Sequence, residues 1–264
     1  GGVSVSWMPA ATGALFVPLL VACLWVLERM PAPDARDEAE RTRRVPMDAA
    51  ERKRFLQRHG MPLVLLIAGY VLLTAVRDFR DNFAVELWSA MGFGGVASVF
   101  SASELPVAVL ALAGLGALML VRDNMRALLA IHGAVLAGAL LMGLATAAFD
   151  AGLLGPLPWM ILTGAGLYLG YTPFNAMLFD RMIATLGGAG NAGFLIYVAD
   201  SSGYAGSVGL LLFRSIAAPE IDWLPFFVRC LYATSVTVAV LILLSMAYFL
   251  RQSGQAPVLE PVHA

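Results

Sequence analysis

Apolar runs of about twenty residues recur along this chain and leave it few ways to fold. Crossing about 30 Å of hydrocarbon takes about 20 mostly apolar helical residues, and a helix satisfies its own backbone hydrogen bonds on the way. Seven segments meet that requirement: 9–30, 62–92, 104–121, 127–149, 157–182, 191–214 and 223–250. Only 13% of the residues are charged, against about 25% in ordinary soluble domains. That density cannot coat a water-facing surface. The expectation is an all-α, polytopic membrane helix bundle with seven transmembrane helices. A secreted, nuclear or disordered chain is excluded, and a net charge of −1 gives no basic bias toward nucleic acid.

The first segment does not read as a signal peptide. It has no basic start, and it ends at Glu28-Arg29 rather than at small residues. The chain opens Gly1-Gly2, and the expectation is a fragment whose first helix, within 1–30, closes a missing N-terminal half. Lys and Arg crowd the segment that follows: Arg29, Arg36, Arg41, Arg43, Arg44, Arg52, Lys53, Arg54 and Arg58. Positive residues favour the cytoplasmic side. Arg122, Arg126, Arg181 and Arg251 fall on the same side of the alternation, so the N-terminus is expected outside and the C-terminus in the cytoplasm. Residues 31–61 form the cytoplasmic linker. Asp48 with Glu51 three residues on predicts a helix start, either of a surface helix at the membrane face or within a solvated linker. Residues 62–250 form a six-helix bundle and 251–264 a cytoplasmic tail.

Ionisable groups at bilayer depth cost from about 2.5 to over 10 kcal/mol each on different scales, so they face a bundle interior or a wet cavity. The second segment carries Arg77, Asp78, Arg80, Asp81, Asn82 and Glu86. At about 100° per residue, Tyr70, Thr74, Arg77, Asp78 and Asp81 share one quarter of the helix, and Arg77 can pair with Asp81 one turn on. Arg80 points off that face. In the sixth segment Tyr197, Asp200, Ser201, Tyr204 and Ser207 recur at helical spacing, and Gly193, Gly203, Gly206 and Gly209 permit close helix approach. In the fifth, Tyr168, Thr172, Asn175 and Phe179 share a face beside Pro173, which predicts a kink. Segments three, four and seven read as apolar scaffold.

The remaining chemistry is sparse. Cys23 and Cys230 lie in apolar runs and build neither a disulfide framework nor a metal site. The single lysine, Lys53, is in the linker, which excludes a retinal Schiff base. His59 sits beside a helix boundary, His263 is in the tail, and His132, alone in an apolar run, reads as a hydrogen-bonded core residue. No HExxH or GxSxG is present, so a membrane enzyme is disfavoured, and no cofactor is implied.

A basic loop followed by six helices resembles the hinge and C-terminal half of a major facilitator superfamily transporter. The runs VRDFRDNFAVELW and GNAGFLIYVADSSGYAGS also look like an uncharacterised family of bacterial membrane proteins related to it. In the stretch LVRDNMRALL, Asp123 fits the superfamily's loop motif and Arg126 fits it loosely. The resemblance implies secondary transport of a small solute across the bacterial cytoplasmic membrane, coupled to protons. It also implies that the first, second, fourth and fifth helices of the half line the central cavity. The site residues would be Arg77, Asp78, Asp81, Asn175, Tyr197, Asp200 and Tyr204, with Tyr168 as a further hydrogen-bonding group. Arg77 would pair with Asp81 or Asp200, or release it to bind an anionic solute. The expected partners are the solute, the lipid bilayer and the missing N-terminal half. The other reading is a non-transporting receptor or structural membrane protein in which the charges form a static network.

Overall fold

The helix carrying most of the charge begins at a reciprocal cap. Glu51 N donates to Asp48 Oδ1 (2.7 Å) and Asp48 N donates to Glu51 Oε2 (3.0 Å), which satisfies two orphan amides of the first turn. This comes from a computed structural model of the chain that describes residues 4–32, 48–186, 191–217 and 222–253. Arg36, Arg41, Arg43, Arg44, His263 and the tail from 254 lie outside the described residues.

The chain divides into two units, 1–43 and 44–264. In the first, a 3₁₀ turn at Val5–Trp7 leads into α1 (Met8–Ala14) and α2 (Val17–Glu28). Neither helix buries a residue. The Arg29 guanidinium lies over the Trp25 ring at 3.8 Å.

The second unit holds α3 (Ala49–Asn82), α4 (Ala84–Ala90), α5 (Ser98–Met119), α6 (Asn124–Asp150), α7 (Pro156–Pro173), a π-turn (Phe174–Leu178), α8 (Phe179–Leu186), α9 (Ala192–Leu212), a π-turn (Phe213–Ala217) and α10 (Trp223–Ser253). No strand occurs among the described residues. Among the described residues, six helical stretches are long and apolar enough to cross a membrane: Met8–Glu28, Ala49–Asn82, Ser98–Met119, Asn124–Asp150, Ala192–Ile216 and Trp223–Gln252. The 157–182 segment is not among them. Its Gly, Tyr, Thr, Pro and Asn residues make it less apolar than the others, but it is helical, with a π-turn after Pro173 between α7 and α8. The kink predicted at Pro173 takes this form, because proline cannot donate to the preceding turn and the ladder re-forms with a wider step.

The boundary read at 61/62 also shifts. Pro62 does not start a helix. It sits inside α3, and the backbone leaves helical geometry at His59 (φ −121°, ψ 15°), three residues before it. The charged 48–59 stretch and the apolar stretch beyond it are thus one bent helix.

Contacts set the bundle order. α3 packs against α9 and α10, α10 against α6, α6 against α7, and α7 against α5 and more lightly against α3. Inside a bilayer, helix association rests on close packing and hydrogen bonds rather than on release of water. A Cβ on Gly138 would lie 2.4 Å from the Gly166 carbonyl oxygen, and one on Gly166 would lie 2.6 Å from that of Gly138. α6 and α7 therefore touch backbone to backbone. Gly203 and Gly206 instead seat α3 side chains against the α9 backbone, where a Cβ would reach Tyr70 Cε1 at 3.0 Å and Val71 Cγ1 at 2.4 Å respectively. Gly193 and Gly209, read with them, make no such approach to another helix. On the α6–α10 side, His132 is fully buried between the Leu128 carbonyl (2.7 Å) and Ser245 Oγ (2.9 Å), a core histidine as expected.

Candidate functional site

Charged and hydrogen-bonding side chains meet between α3, α5, α7 and α9, while α6 and α10 pair polar groups with each other, His132 with Ser245 and Asp150 with Tyr232. Two networks result.

The first joins α3, α7 and its π-turn, and α9. Arg77 donates through Nε (3.0 Å) and Nη2 (2.5 Å) to Oδ1 of Asp78, and Ser207 Oγ donates to Asp78 Oδ2 at 2.6 Å. The Arg77 guanidinium lies 4.0 Å over the Tyr171 ring. Tyr171 in turn stacks on Tyr70, with ring centroids 5.2 Å apart and planes 20° apart. The buried Tyr70 hydroxyl donates to Asp200 Oδ1. Asn175 Nδ2 bridges the ends, donating to Tyr70 Oη (3.0 Å) and to Asp200 Oδ1 (3.2 Å). One continuous path of contacts thus runs from Ser207 through Asp78, Arg77, Tyr171 and Tyr70 to Asp200.

The pairing expected between Arg77 and Asp81 is not made, and Arg77 does not reach Asp200. Arg77 folds back on its sequence neighbour Asp78, which a long side chain on a helix can do when an aromatic ring holds its outer face. Asn175 contributes because the π-turn places it there. Thr74 is buried between the two levels, and its Oγ1 has no hydrogen-bond partner. A Cβ on Gly203 would lie 3.1 Å from that oxygen, so the hydroxyl is directed at the α9 surface between Asp200 and Ser207.

The second network joins α3, α5 and α7. Arg80, off the predicted polar face, is 1% exposed. Its guanidinium is bidentate to Glu104 (Nη2–Oε1 2.8 Å, Nη1–Oε2 3.2 Å) and also donates to Asp81 Oδ1 and the Met160 carbonyl, both at 3.3 Å. Tyr168 donates to Asp81 Oδ2 at 3.0 Å, so Asp81 belongs here rather than with Arg77. Gly164 makes room for this guanidinium, since a Cβ there would lie 2.8 Å from Nη2. α5 is therefore not purely apolar scaffold: Glu104 and Ser103 both enter the network.

Tyr197 and Tyr204 flank Asp200 one turn before and after on α9, and both are exposed, at 76% and 62%. They make no hydrogen bond to the rest of the site among the described residues. Asn82 and Glu86, also in the charged run, join neither network. Sequence reasoning missed Tyr171 and Glu104 and set Arg80 aside. A signal was available for Glu104: an arginine buried at bilayer depth needs a carboxylate, and the SASELP run held an unassigned one.

The apolar helices and this buried charge define a polytopic helical membrane protein. More particularly, the chain belongs to a family of unknown function, DUF5690, whose match covers residues 1–252. Comparison with curated proteins and with solved structures gives no match.

Proposed function

We propose that the six-helix unit is one half of a secondary transporter of the major facilitator type, carrying a small solute across the bacterial cytoplasmic membrane with proton coupling. The C-terminus lies in the cytoplasm by the distribution of basic residues. The observation that carries the reading is Asp200, a carboxylate in the middle of a membrane helix whose donors, Tyr70 and Asn175, are both neutral. Such a carboxylate is a natural carrier of a proton. The split of the bundle supports the same reading. Polar groups occur on the first, second, fourth and fifth helices of the unit, and the third and sixth pack behind them. Tyr197, Ser201 and Tyr204 leave the polar face open toward a complementary set of helices, and alternating access is rocking of the one set against the other.

Reconstitution into proteoliposomes with a pH-sensitive dye inside tests this. Adding solutes from a fractionated metabolite extract under a pH gradient should move protons through the native protein and not through Asp200→Asn, with the variant folding normally in detergent. Solute flux unchanged in Asp200→Asn, or no proton movement with any fraction, overturns the coupling role. A static, non-transporting network is favoured locally by Arg80, which is buried and held by four hydrogen bonds. On that reading, losing Asp200 lowers stability and nothing else.

A further inference from the structure

We propose that the solute is an organic cation, and that it occupies Asp200 in exchange for a proton. The inference rests on the transport reading above and names the substrate class of the same site.

The sign of the site follows from how its charges are used. Two guanidiniums, Arg77 and Arg80, face four carboxylates, Asp78, Asp81, Glu104 and Asp200, so the face carries two unbalanced negative charges. Neither guanidinium is offered to an anion. Arg77 spends Nε and Nη2 on Asp78 and lays its face on Tyr171. Arg80 is buried and holds Glu104 with both terminal nitrogens. Among the described residues, both guanidiniums of the site are thus already paired with a carboxylate.

Asp200 is the opposite case. Among the described residues both of its donors converge on Oδ1, and Oδ2 receives none. Among the described residues no Lys, Arg or His lies within ion-pair distance of it. Tyr197 and Tyr204 flank it on its own helix with their rings exposed, while the buried Tyr70 reaches it through its hydroxyl and stacks on Tyr171, which already carries Arg77. Aromatic rings beside a carboxylate attract ammonium-type cations through their negative faces. The unpartnered, buried Thr74 hydroxyl, aimed at the α9 surface beside Asp200, adds an acceptor of the same kind.

One carboxylate neutralises one positive charge. With the solute bound, Asp200 is ionised and paired; with a proton bound, it is neutral and holds no cation. Occupancy is mutually exclusive, and the cycle exchanges one proton for one monovalent cation. The other titratable groups facing this position are Tyr70 on α3, with the Arg77–Asp78 pair further along, Tyr171 on α7, and Tyr197 and Tyr204 on α9. Asp180 and Arg181 lie on α8, which also packs on α9, and Arg181 is held by the Arg122 carbonyl and Asn124 Oδ1.

Calorimetric titration of the purified full chain with benzyltrimethylammonium tests the sign, with benzoate and benzyl alcohol as matched anionic and neutral probes. The cation should bind saturably at millimolar concentration or below. Its affinity should fall as pH is lowered, by up to tenfold per unit, with matching proton release on binding. Asp200→Asn should weaken it at least tenfold, Asp200→Glu should retain it, and Asp150→Asn, on the α6–α10 side, should leave it unchanged. Preference for benzoate, equal binding of all three probes, absence of saturable cation binding, or insensitivity to Asp200→Asn each overturns the proposal. Counterflow of the same probes in proteoliposomes separates the two readings. Cation binding without flux overturns transport and leaves the site's specificity standing; flux of benzoate alone does the reverse.

Discussion

Removing either partner of the Arg80–Glu104 pair deletes the same two hydrogen bonds, but the consequences should differ. Arg80 has 2% of its side chain exposed, whereas Glu104 has 46% and Asp81 41%. Glu104→Met strands a guanidinium that water cannot reach. Breaking a fully buried pair in this way costs about 3–5 kcal/mol. Here Asp81 at 3.3 Å and the Met160 carbonyl remain, and the lost partner is half exposed, which lowers the estimate to about 1–2 kcal/mol. Arg80→Met removes the buried charge together with its Nε, which has no partner, and leaves two carboxylates that already touch solvent. Its cost should be smaller than that of Glu104→Met by about 1 kcal/mol. The double variant should recover most of the Glu104→Met loss, a coupling that a double-mutant cycle reads directly. Unfolding equilibria in mixed micelles of increasing denaturing-detergent fraction supply the four values. A cost of Arg80→Met equal to or above that of Glu104→Met, or additive costs in the double variant, would refute the assignment of Arg80 as the buried, dependent member.

Gly138→Ala should destabilise the bundle by about 1–3 kcal/mol, because its Cβ would meet a backbone oxygen at 2.4 Å and neither helix can yield without moving the other. Gly133→Ala, on the same helix with nothing within 4 Å, should instead stabilise by about 0.5–1 kcal/mol through helix propensity; the same micelle titration compares them, and equal effects would contradict the contact. Ser245→Ala should cost about 1–3 kcal/mol by leaving His132 Nε2 buried without a partner, measured as a lowered melting point in detergent that Ser245→Thr restores.

The apolar runs were legible because the bilayer demands length and hydrophobicity from each crossing separately, with no knowledge of neighbours. Asp48 and Glu51 were legible for a similar reason, since a capping box closes within four residues. Helical periodicity also put Tyr70, Arg77 and Asp78 on one face and Asp200 and Ser207 on another, and the structure brings those faces together. What periodicity could not supply was the choice of partner. Arg77 had carboxylates at one and four residues' distance, and the Tyr171 ring, contributed by another helix, decided between them. Asp81 was drawn to Tyr168 and Arg80 for the same kind of reason. Glu104 was lost through a boundary. The apolar run was counted from 104, whereas α5 begins at Ser98, so Glu104 lies two turns inside the helix rather than at its edge. The segment boundary at 62 failed in the opposite sense, because the helix runs on through it from Ala49 and bends at His59.

The two networks of the polar face differ in how closely they are enclosed. Arg80, Glu104, Asp81 and Tyr168 tie α3, α5 and α7 together around a charge with almost no access to water, and Gly164 is shaped to admit it. A group so enclosed cannot exchange partners without opening three helices, so this network fixes the frame. Asp200 is enclosed quite differently. It is partly exposed, bound by neutral groups at one oxygen, and placed where a π-turn widens the opposing helix at Asn175. π-turns inside helices recur at functional positions because they present side chains that a regular helix would turn away. The step at Phe174–Leu178 turns Asn175 toward Tyr70 and Asp200, and relaxing it would withdraw one of the two donors that Asp200 has. α3 serves both networks: it carries Arg80 and Asp81 of the one and, in the other, Tyr70, which donates to Asp200 of α9.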